Sequence, residues 1–214
     1  MKQITCNSIG EAWIESCRCI FQEGQTIKDG GQDVKELRHL VLTIKNPEFN
    51  DAIIGKYGDK AMIDWMLSNF LEQKTVPELK NGLSYGTRLF NYNGKNQIEW
   101  VIKRLKEKPE TKAATIPMIL PEDEGYIPCV SVLDFKIRDG KLMLTAMCRA
   151  IDFGKKAYAN LIALYKIQQM VSEQISVPAG ELIMYLVSAH IYDEDYKHVQ
   201  QIINKNISEN GRNN

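Results

Sequence analysis

Residues 127–149 read IPCVSVLDFKIRDGKLMLTAMCR. Apolar and β-branched residues dominate both arms of this segment, which is the pattern of two paired strands. Between the arms, Asp139-Gly140 tolerates the positive φ angles of a hairpin turn. A cysteine follows a proline in the first arm, and Cys148-Arg149 end the second. The segment predicts a β-hairpin, and two interpretations of Cys129 stay open: an incidental cysteine in a buried hairpin, or a reactive thiol near a guanidinium.

The 214-residue chain has an ordinary globular composition, with 44% hydrophobic and 25% charged residues. One domain is the default for this length, and two small ones are possible. Basic and acidic residues balance at 27 each, so bulk charge does not favour binding to a nucleic acid polymer. No apolar run approaches 18 residues, which predicts no membrane span.

Cysteine usage points to a reducing compartment. The five cysteines are an odd number in a chain that is not small, which favours free thiols over a disulfide framework. Cys17-Arg18-Cys19 has no second pair at zinc spacing, so no metal site is expected. Residues 1–8 lack the apolar region of a signal peptide. We therefore expect a cytoplasmic protein.

Helix and strand signals do not alternate strictly, which favours a single α+β domain, a mixed β-sheet flanked by helices, over a doubly wound fold. The predicted helices span residues 8–24, 59–73, 97–106 and 155–175, and Asp193 caps a last one. Ser8 and Glu11 form a capping box for the first helix, and Asn96 can cap the third with Glu99 at its third position. Besides the hairpin, the predicted strands span residues 37–44, 111–120 and 181–188. Residues 25–32 are expected to form a turn or loop, and residues 77–86 a linker.

Six polar side chains fall at the ends of apolar elements in the second half of the chain: Cys129, Arg149, Asp152, Asn160, His190 and Tyr192. Asn160 lies at the edge of the buried face of a predicted helix, where its amide must find hydrogen-bond partners. It either makes a hydrogen bond specific to the fold or reads a bound ligand.

In order and spacing, this set resembles the thymidylate synthase family, which includes the pyrimidine nucleotide hydroxymethylases. The resembling segments are Pro128-Cys129, Phe135-x-x-x-Asp139-Gly140-Lys141-Leu142, Arg149-x-x-Asp152, Asn160 and His190-Ile191-Tyr192. Tyr85-Gly86, residues 97–106 and Lys108-Pro109 extend the resemblance upstream, so that it covers residues 85–203. The compact length is similar to that of the short archaeal-type members. The resemblance implies a thymidylate synthase-like domain over residues 1–207, with a polar tail at 208–214.

The resemblance implies one-carbon transfer from 5,10-methylenetetrahydrofolate to C5 of a uridine monophosphate nucleotide, with dUMP to dTMP ranked first. Cys129 is then the nucleophile that adds to C6 of the pyrimidine. A nearby cation such as Arg149 would lower the pKa of this thiol. Arg149 would also bind the nucleotide phosphate, for which a planar guanidinium is suited.

Further site residues are implied by the same resemblance. Asn160 would read the pyrimidine edge and favours uracil, because the cytosine-using relatives have Asp at this position. His190 and Tyr192 would hold the sugar hydroxyl, Asp152 would bind the pterin of the folate, and Tyr85 would organise proton transfer near the thiol.

Asp64 is the candidate for the family's general acid/base carboxylate. Lys28 and Lys112 are the remaining substrate-binding candidates. Lys112-Ala113 stands where the family has an arginine pair contributed across a homodimer interface, so a homodimer is expected.

The chain departs from the family pattern around both ligands. Val130 and Ala150 replace the His and Ser that usually follow the nucleophile and the phosphate-binding arginine. Residues 155–159 replace the Leu-Gly-Leu-Pro-Phe run, and residues 210–214 are polar where the family has an apolar tail. The tryptophan-rich folate wall has no obvious counterpart. These departures keep three alternatives open: a nucleotide 5-hydroxymethylase, a homologue that only binds nucleotide, and an unrelated α+β domain.

Overall fold

The computed structural model describes residues 1–210. The strands are β1 (Lys2–Cys6), β2 (Gln25–Asp29), β3 (Gln32–Ile44), β4 (Thr75–Val76), β5 (Gly82–Leu83), β6 (Thr115–Pro117), β7 (Val130–Arg138), β8 (Lys141–Asp152) and β9 (Ala179–Tyr192). The helices are α1 (Ile9–Glu23), α2 (Ala52–Tyr57), α3 (Lys60–Leu71), α4 (Tyr85–Phe90), α5 (Gln97–Glu107), α6 (Ala157–Ile175) and α7 (Tyr196–Asn210). Short 3₁₀ turns lie at Pro77–Leu79 and Asp193–Asp195.

A mixed sheet of seven strands organises the described residues. Its order is β1-β3-β9-β8-β7-β6, with β2 paired to β3. The pairs β1–β3 and β8–β9 are parallel, and the remaining pairs are antiparallel. Helices pack against this sheet within one domain, which confirms the predicted α+β fold. No helix within residues 1–210 is long and apolar enough to cross a membrane.

The turn and capping signals near the hairpin and at the starts of α1 and α5 are confirmed, whereas the predicted cap at Asp193 is wrong, because Asp193 opens a 3₁₀ turn and α7 begins at Tyr196. Asp139 and Gly140 have φ angles of 51° and 71° at the turn between β7 and β8. Ser8 and Glu11 form a reciprocal capping box at the start of α1. At the start of α5, the Asn96 side chain accepts a hydrogen bond from the Glu99 amide. These features depend on side chains within a few residues of one another, which is why the sequence alone predicts them.

Several short elements differ from the prediction. Residues 25–32 are not a loop, because β2 pairs with β3 around a turn at Gly30-Gly31. Residues 77–86 are not a linker, since they include β5 and the start of α4. The strand predicted at 111–120 is limited to β6, an edge strand that contains Pro117. Strand β1 and helix α2 were not predicted.

Helix α7 continues to Asn210. Residues 211–214, which belong to the predicted polar tail and to the segment compared with the family's apolar tail, lie outside the described residues. The tail therefore stays a prediction.

One face of the sheet is covered and the other is largely open. In the first part of β8, Leu142, Leu144, Ala146 and Cys148 are fully buried, whereas the alternate residues Met143, Thr145 and Met147 are not, and Met147 is 42% exposed. The first part of β9 repeats this alternation, with Ile183, Tyr185 and Val187 half-buried on the open side. Side chains of a strand alternate between faces, so this pattern leaves an apolar sheet face without a helix over it among the described residues.

The alternation changes phase at the same level in β8 and β9. Beyond Arg149 the buried residue of β8 is Ile151, and beyond Val187 the buried residues of β9 are Ala189 and Ile191. Ala150 and Ser188, the residues just past the change, are register partners. Past this shared change of phase, the polar side chains of both strands occupy half-buried positions, where a ligand can reach them.

Candidate active site

Cys129 lies one residue before β7 and is held by Tyr85. The Tyr85 hydroxyl accepts hydrogen bonds from the amides of Cys129 and Val130, at 2.9 and 3.0 Å. Tyr85 is only 4% exposed, and its ring stacks on Phe70 of α3 with 4.3 Å between centroids. The hydroxyl is therefore fixed by the packing of α3 and α4, and it fixes the backbone of Cys129 in turn.

Arg149 binds the other side of the segment that carries Cys129. Its amide donates to the Cys129 carbonyl at 2.9 Å. Its Nη2 and Nε donate to the carbonyls of Ile127 and Pro128, at 2.7 and 3.2 Å. The guanidinium remains exposed at the end of a groove of about 450 Å³, which is lined by Glu78, Leu79, Lys80, Gly125, Tyr126, Ile127 and Arg149. The predicted proximity of Cys129 and Arg149 is present in the structure.

The expected effect of Arg149 on the pKa of Cys129 is present, but a larger effect of opposite sign outweighs it. Burial of the half-buried thiol raises its pKa above the ordinary value, although Arg149 and Lys156 act to lower it. Asp152 acts with burial and raises it further. Burial dominates because the thiolate loses hydration that two partly solvated cations do not fully replace.

Asp152 and Asn160 lie on either side of the start of α6. Asp152 Oδ1 accepts the amides of Gly154 and Lys155, at 2.8 and 3.3 Å. Asn160 is buried, and its Nδ2 donates to the Lys156 carbonyl at 2.9 Å. One amide hydrogen and Oδ1 of Asn160 have no partner among the described residues, so a donor and an acceptor remain for a ligand.

Helix α1 anchors this turn from inside the core. Trp13 Nε1 donates to the Phe153 carbonyl at 2.9 Å, and the Cys17 thiol lies 3.6 Å from the same oxygen. The Phe153 amide donates to the His190 carbonyl at 2.7 Å, which ties the end of β8 to β9. Cys17 is fully buried and serves the core rather than the site.

His190 and Tyr192 extend from the end of β9 with their rings 5.3 Å apart. Burial lowers the pKa of His190, whose Nδ1 lies 3.4 Å from Ser188 Oγ. The Tyr192 hydroxyl donates to Asp29 of β2 at 2.8 Å. Burial and this hydrogen bond raise the pKa of Tyr192 to about 12. Tyr192 is therefore a neutral phenol whose oxygen can still accept a hydrogen bond.

Three predicted site residues are not brought to the thiol within this chain. Asp64 has a 59% exposed side chain and pairs with Lys60 at 2.6 Å, one turn earlier in α3. Lys28 has a 68% exposed side chain and pairs with Asp33 at 2.9 Å across the β2–β3 hairpin. Lys112 is exposed in the segment before β6.

Comparison with known proteins assigns the family. The model of the thymidylate synthase family matches residues 15–212. The chain belongs to the thymidylate synthase family. A protein of Methanosarcina mazei named "Putative thymidylate synthase" is 36% identical over 207 residues, which are 94% of both chains. Relatives with the same name in Methanosarcina acetivorans and Methanothermobacter marburgensis are 35% and 29% identical, and each match covers 94% of this chain and at least 94% of the relative.

The structure adds three residues near the candidate site that the sequence did not single out. Lys156 interacts electrostatically with Cys129. Tyr126 forms a hydrogen bond with Tyr85 and interacts with Cys129, and burial raises the pKa of Tyr126 to about 12. Asp29 orients Tyr192. Lys156 had one signal in the sequence, since it lies in the segment that departs from the family's Leu-Gly-Leu-Pro-Phe run.

A buried ion pair fixes the loop that leads to Cys129. Arg88 of α4 is 1% exposed, and its Nη1 and Nη2 donate to the two carboxylate oxygens of Asp123 at 2.7 and 2.6 Å. Arg88 Nη1 also donates to the Met118 carbonyl, and Asp123 accepts the Leu120 amide, both at 2.7 Å. Burial by itself would raise the pKa of Asp123, but the bonds from Arg88 and the Leu120 amide reverse this and hold the pKa below its usual value.

We expect Asp123→Asn to lower the free energy of unfolding by about 3–5 kcal/mol, because it leaves the Arg88 charge buried without its partner. The control is Asp64→Asn, which breaks an exposed ion pair and costs under about 1 kcal/mol. Urea unfolding of both variants at neutral pH measures the difference, and equal losses would contradict the role of the buried pair.

The pH dependence provides a second readout for the same variant. The folded-state pKa of Asp123 is lowered, so its stabilisation is present above the unfolded pKa of about 4 and is lost as the pH falls through the folded value. The difference in the free energy of unfolding between wild type and Asp123→Asn should therefore become smaller in acid.

Proposed function

We propose that this protein transfers a one-carbon unit from 5,10-methylenetetrahydrofolate to C5 of a uridylate, with dUMP to dTMP as the preferred reaction. The observation that carries the proposal is the environment of Cys129, whose backbone is fixed by a buried tyrosine and whose thiol has Arg149 and Lys156 as its cationic neighbours. A structural cysteine of the core needs neither feature, because a buried thiol packs as a small apolar group.

The proposed chemistry begins with the Cys129 thiolate. Its sulfur forms a bond to C6 of the pyrimidine, and the electron pair of the C5–C6 double bond moves toward the C4 carbonyl. C5 then becomes the nucleophile that accepts the one-carbon unit. Loss of the C5 proton would then break the bond between the one-carbon unit and the folate nitrogen, which leaves with the bonding electron pair, so that an exocyclic methylene remains on C5. Addition of a hydride to this carbon, or of hydroxide for a hydroxymethyl product, would restore the C5–C6 double bond and expel the Cys129 thiolate, so that the enzyme is regenerated.

The nucleotide is proposed to bind through side chains on three sides. Arg149 would contact the phosphate at the groove beside Ile127, where its guanidinium is exposed. The remaining amide hydrogen and Oδ1 of Asn160 match O4 and N3–H of uracil. His190 and Tyr192 would hold the sugar hydroxyl. Because Tyr192 already donates to Asp29, its oxygen would act as the acceptor.

The folate is proposed to bind at Asp152, whose carboxylate fits the pterin end. One carboxylate oxygen is held by the amides of Gly154 and Lys155, so the orientation of the half-buried side chain is set before binding. When bound, methylenetetrahydrofolate supplies the one-carbon unit and, for a methyl product, the hydride. Trp13 is buried, Trp65 is half-buried, and the exposed Trp100 stacks with Arg104.

A second candidate function is nucleotide binding without turnover. Two observations favour it: burial raises the pKa of Cys129, and the candidate carboxylate of Asp64 points to solvent. A hydroxymethyl product, formed when water replaces the hydride, is the remaining alternative within the catalytic proposal.

The experiment for the main proposal mixes the protein with 5-fluoro-dUMP and methylenetetrahydrofolate and measures the intact mass. We expect a covalent adduct of protein, nucleotide and folate, because the fluorine at C5 cannot leave as a proton does. Cys129→Ala should abolish the adduct. The matched control is Cys6→Ala, which removes another half-buried thiol and should leave the adduct intact. Nucleotide binding with no adduct would favour the second candidate.

Nucleotide choice tests the role of Asn160. We expect turnover with dUMP or UMP and not with dCMP or CMP, because the amide offers the donor and acceptor that uracil needs. Asn160→Asp should shift the preference toward cytosine nucleotides. Product mass distinguishes a methyl from a hydroxymethyl group. A wild-type preference for cytosine would refute this reading of Asn160.

A homodimer is proposed to form through the open sheet face. Its apolar side chains include Met147, Ile183, Tyr185 and Val187, and pairing would bring Lys112 of one subunit toward the phosphate site of the other. We expect light scattering to give twice the chain mass. Ile183→Asp should produce monomers, whereas Ile207→Asp, which places the same charge on an exposed position of α7, should not. A monomeric wild type would rule the dimer out.

A further inference from the structure

The turn between β4 and β5 forms one side of the groove that ends at Arg149. Its central residues are Lys80-Asn81, and Gly82 follows as the first residue of β5. Gly82 lies directly against Tyr126, because a Cβ atom at this position would be only 2.8 Å from the Tyr126 ring. This close contact fixes the turn against the opposite side of the groove, so that Lys80 and Arg149 line the same space of about 450 Å³.

The charges in this groove are not neutralised by one another. Lys80 and Arg149 are the cations among its lining residues, and Glu78 is the anion. Lys80 is exposed, and within residues 1–210 its ammonium has no ion-pair partner. Arg149 uses Nε and Nη2 for backbone carbonyls, which leaves Nη1 without a hydrogen-bond partner in the same part of the chain. An ammonium and a guanidinium with free donors in one groove suit a phosphate group.

The backbone of Lys80 has a conformation that lysine rarely adopts. Its φ and ψ angles are 53° and 38°, in the left-handed region, and Asn81 follows with a φ of 58°. Asparagine is tolerated there and glycine fits without strain, whereas the Cβ of a lysine approaches the following carbonyl oxygen. The turn by itself would therefore be better served by glycine at position 80. Strain of this kind is found where a side chain serves a ligand.

A nucleotide phosphate needs more charge than Arg149 supplies. A nucleoside monophosphate carries about two negative charges at neutral pH, since the second pKa of its phosphate is near 6. Arg149 provides one positive charge. Lys112 is exposed before β6 and would reach the phosphate only through the proposed homodimer. Lys80 offers the second charge from within the same chain and the same groove.

We propose that Lys80 is a second phosphate-binding residue, which contacts the nucleotide phosphate together with Arg149. The planar guanidinium fixes the direction of the phosphate, and the ammonium adds a point charge on a flexible stem. Glu78 lowers the net positive charge of the groove and so weakens this binding. The inference rests on the proposed function for the identity of the phosphate, but its test measures binding and does not require turnover.

The test compares the dissociation constants of dUMP and of deoxyuridine, which lacks the phosphate, by isothermal titration calorimetry. The proteins are wild type, Lys80→Gly, Lys80→Arg, Glu78→Gln and Asn81→Gly. Asn81→Gly is the matched control, because it introduces glycine at the adjacent residue of positive φ and removes no charge. Both glycine variants should unfold within about 3 °C of wild type, because relief of strain offsets the added freedom of the unfolded chain.

We expect Lys80→Gly to weaken dUMP binding about three- to thirtyfold, because one charged contact to the phosphate is lost. Its binding of deoxyuridine should be unchanged. Lys80→Arg keeps the positive charge and should restore most of the affinity for dUMP. Glu78→Gln should bind dUMP more tightly than wild type, and Asn81→Gly should match wild type for both ligands.

Unchanged dUMP binding in Lys80→Gly would overturn the proposal, as would an equal loss for deoxyuridine or an equal loss in Asn81→Gly. A wild type that binds dUMP no more tightly than deoxyuridine would overturn it too. A loss confined to methylenetetrahydrofolate would assign Lys80 to the carboxylates of the folate instead of the phosphate, and would equally refute it.

These outcomes are separate from the fate of the proposed function. A protein that binds dUMP through Lys80 but forms no adduct with 5-fluoro-dUMP loses the transfer reaction and keeps the role of Lys80. An adduct that forms alongside wild-type dUMP binding in Lys80→Gly removes only the role of Lys80.

Discussion

The site depends on one buried hydroxyl. Tyr85 accepts two backbone amides, from Cys129 and Val130, and it is held in turn by stacking on Phe70. Two buried amides without this acceptor would each cost about 1–3 kcal/mol, so the segment before β7 has little freedom to move. The position of Cys129, the proposed nucleophile, is therefore decided by how α3 and α4 pack, and not by the hairpin alone.

The features that the sequence predicts are those that depend on neighbouring residues. The hairpin follows from two apolar arms around Asp139-Gly140, and the start of α1 follows from Ser8 and Glu11. The sequence also predicts that Cys129 and Arg149 lie close together. They do so because the register of two paired strands fixes which residues of β7 and β8 are neighbours in space.

The features that the sequence misses depend on tertiary placement. Helical spacing places Asp64 beside the apolar residues of α3, but the buried edge of that helix is Met66, Asn69 and Phe70, so Asp64 faces solvent. The direction of the Cys129 pKa depends on how deeply the thiol is buried, which no motif records.

The change of burial phase shared by β8 and β9 has a mechanical consequence. Each of these strands carries the open apolar face in its first part and candidate site residues such as Asp152 and His190 in its last part. No flexible loop separates the two parts, and hydrogen bonds join the strands along most of their length. In the proposed homodimer, the strands that form the interface would therefore also carry the candidate site residues. Continuous backbone would then connect assembly to the geometry of the substrate site.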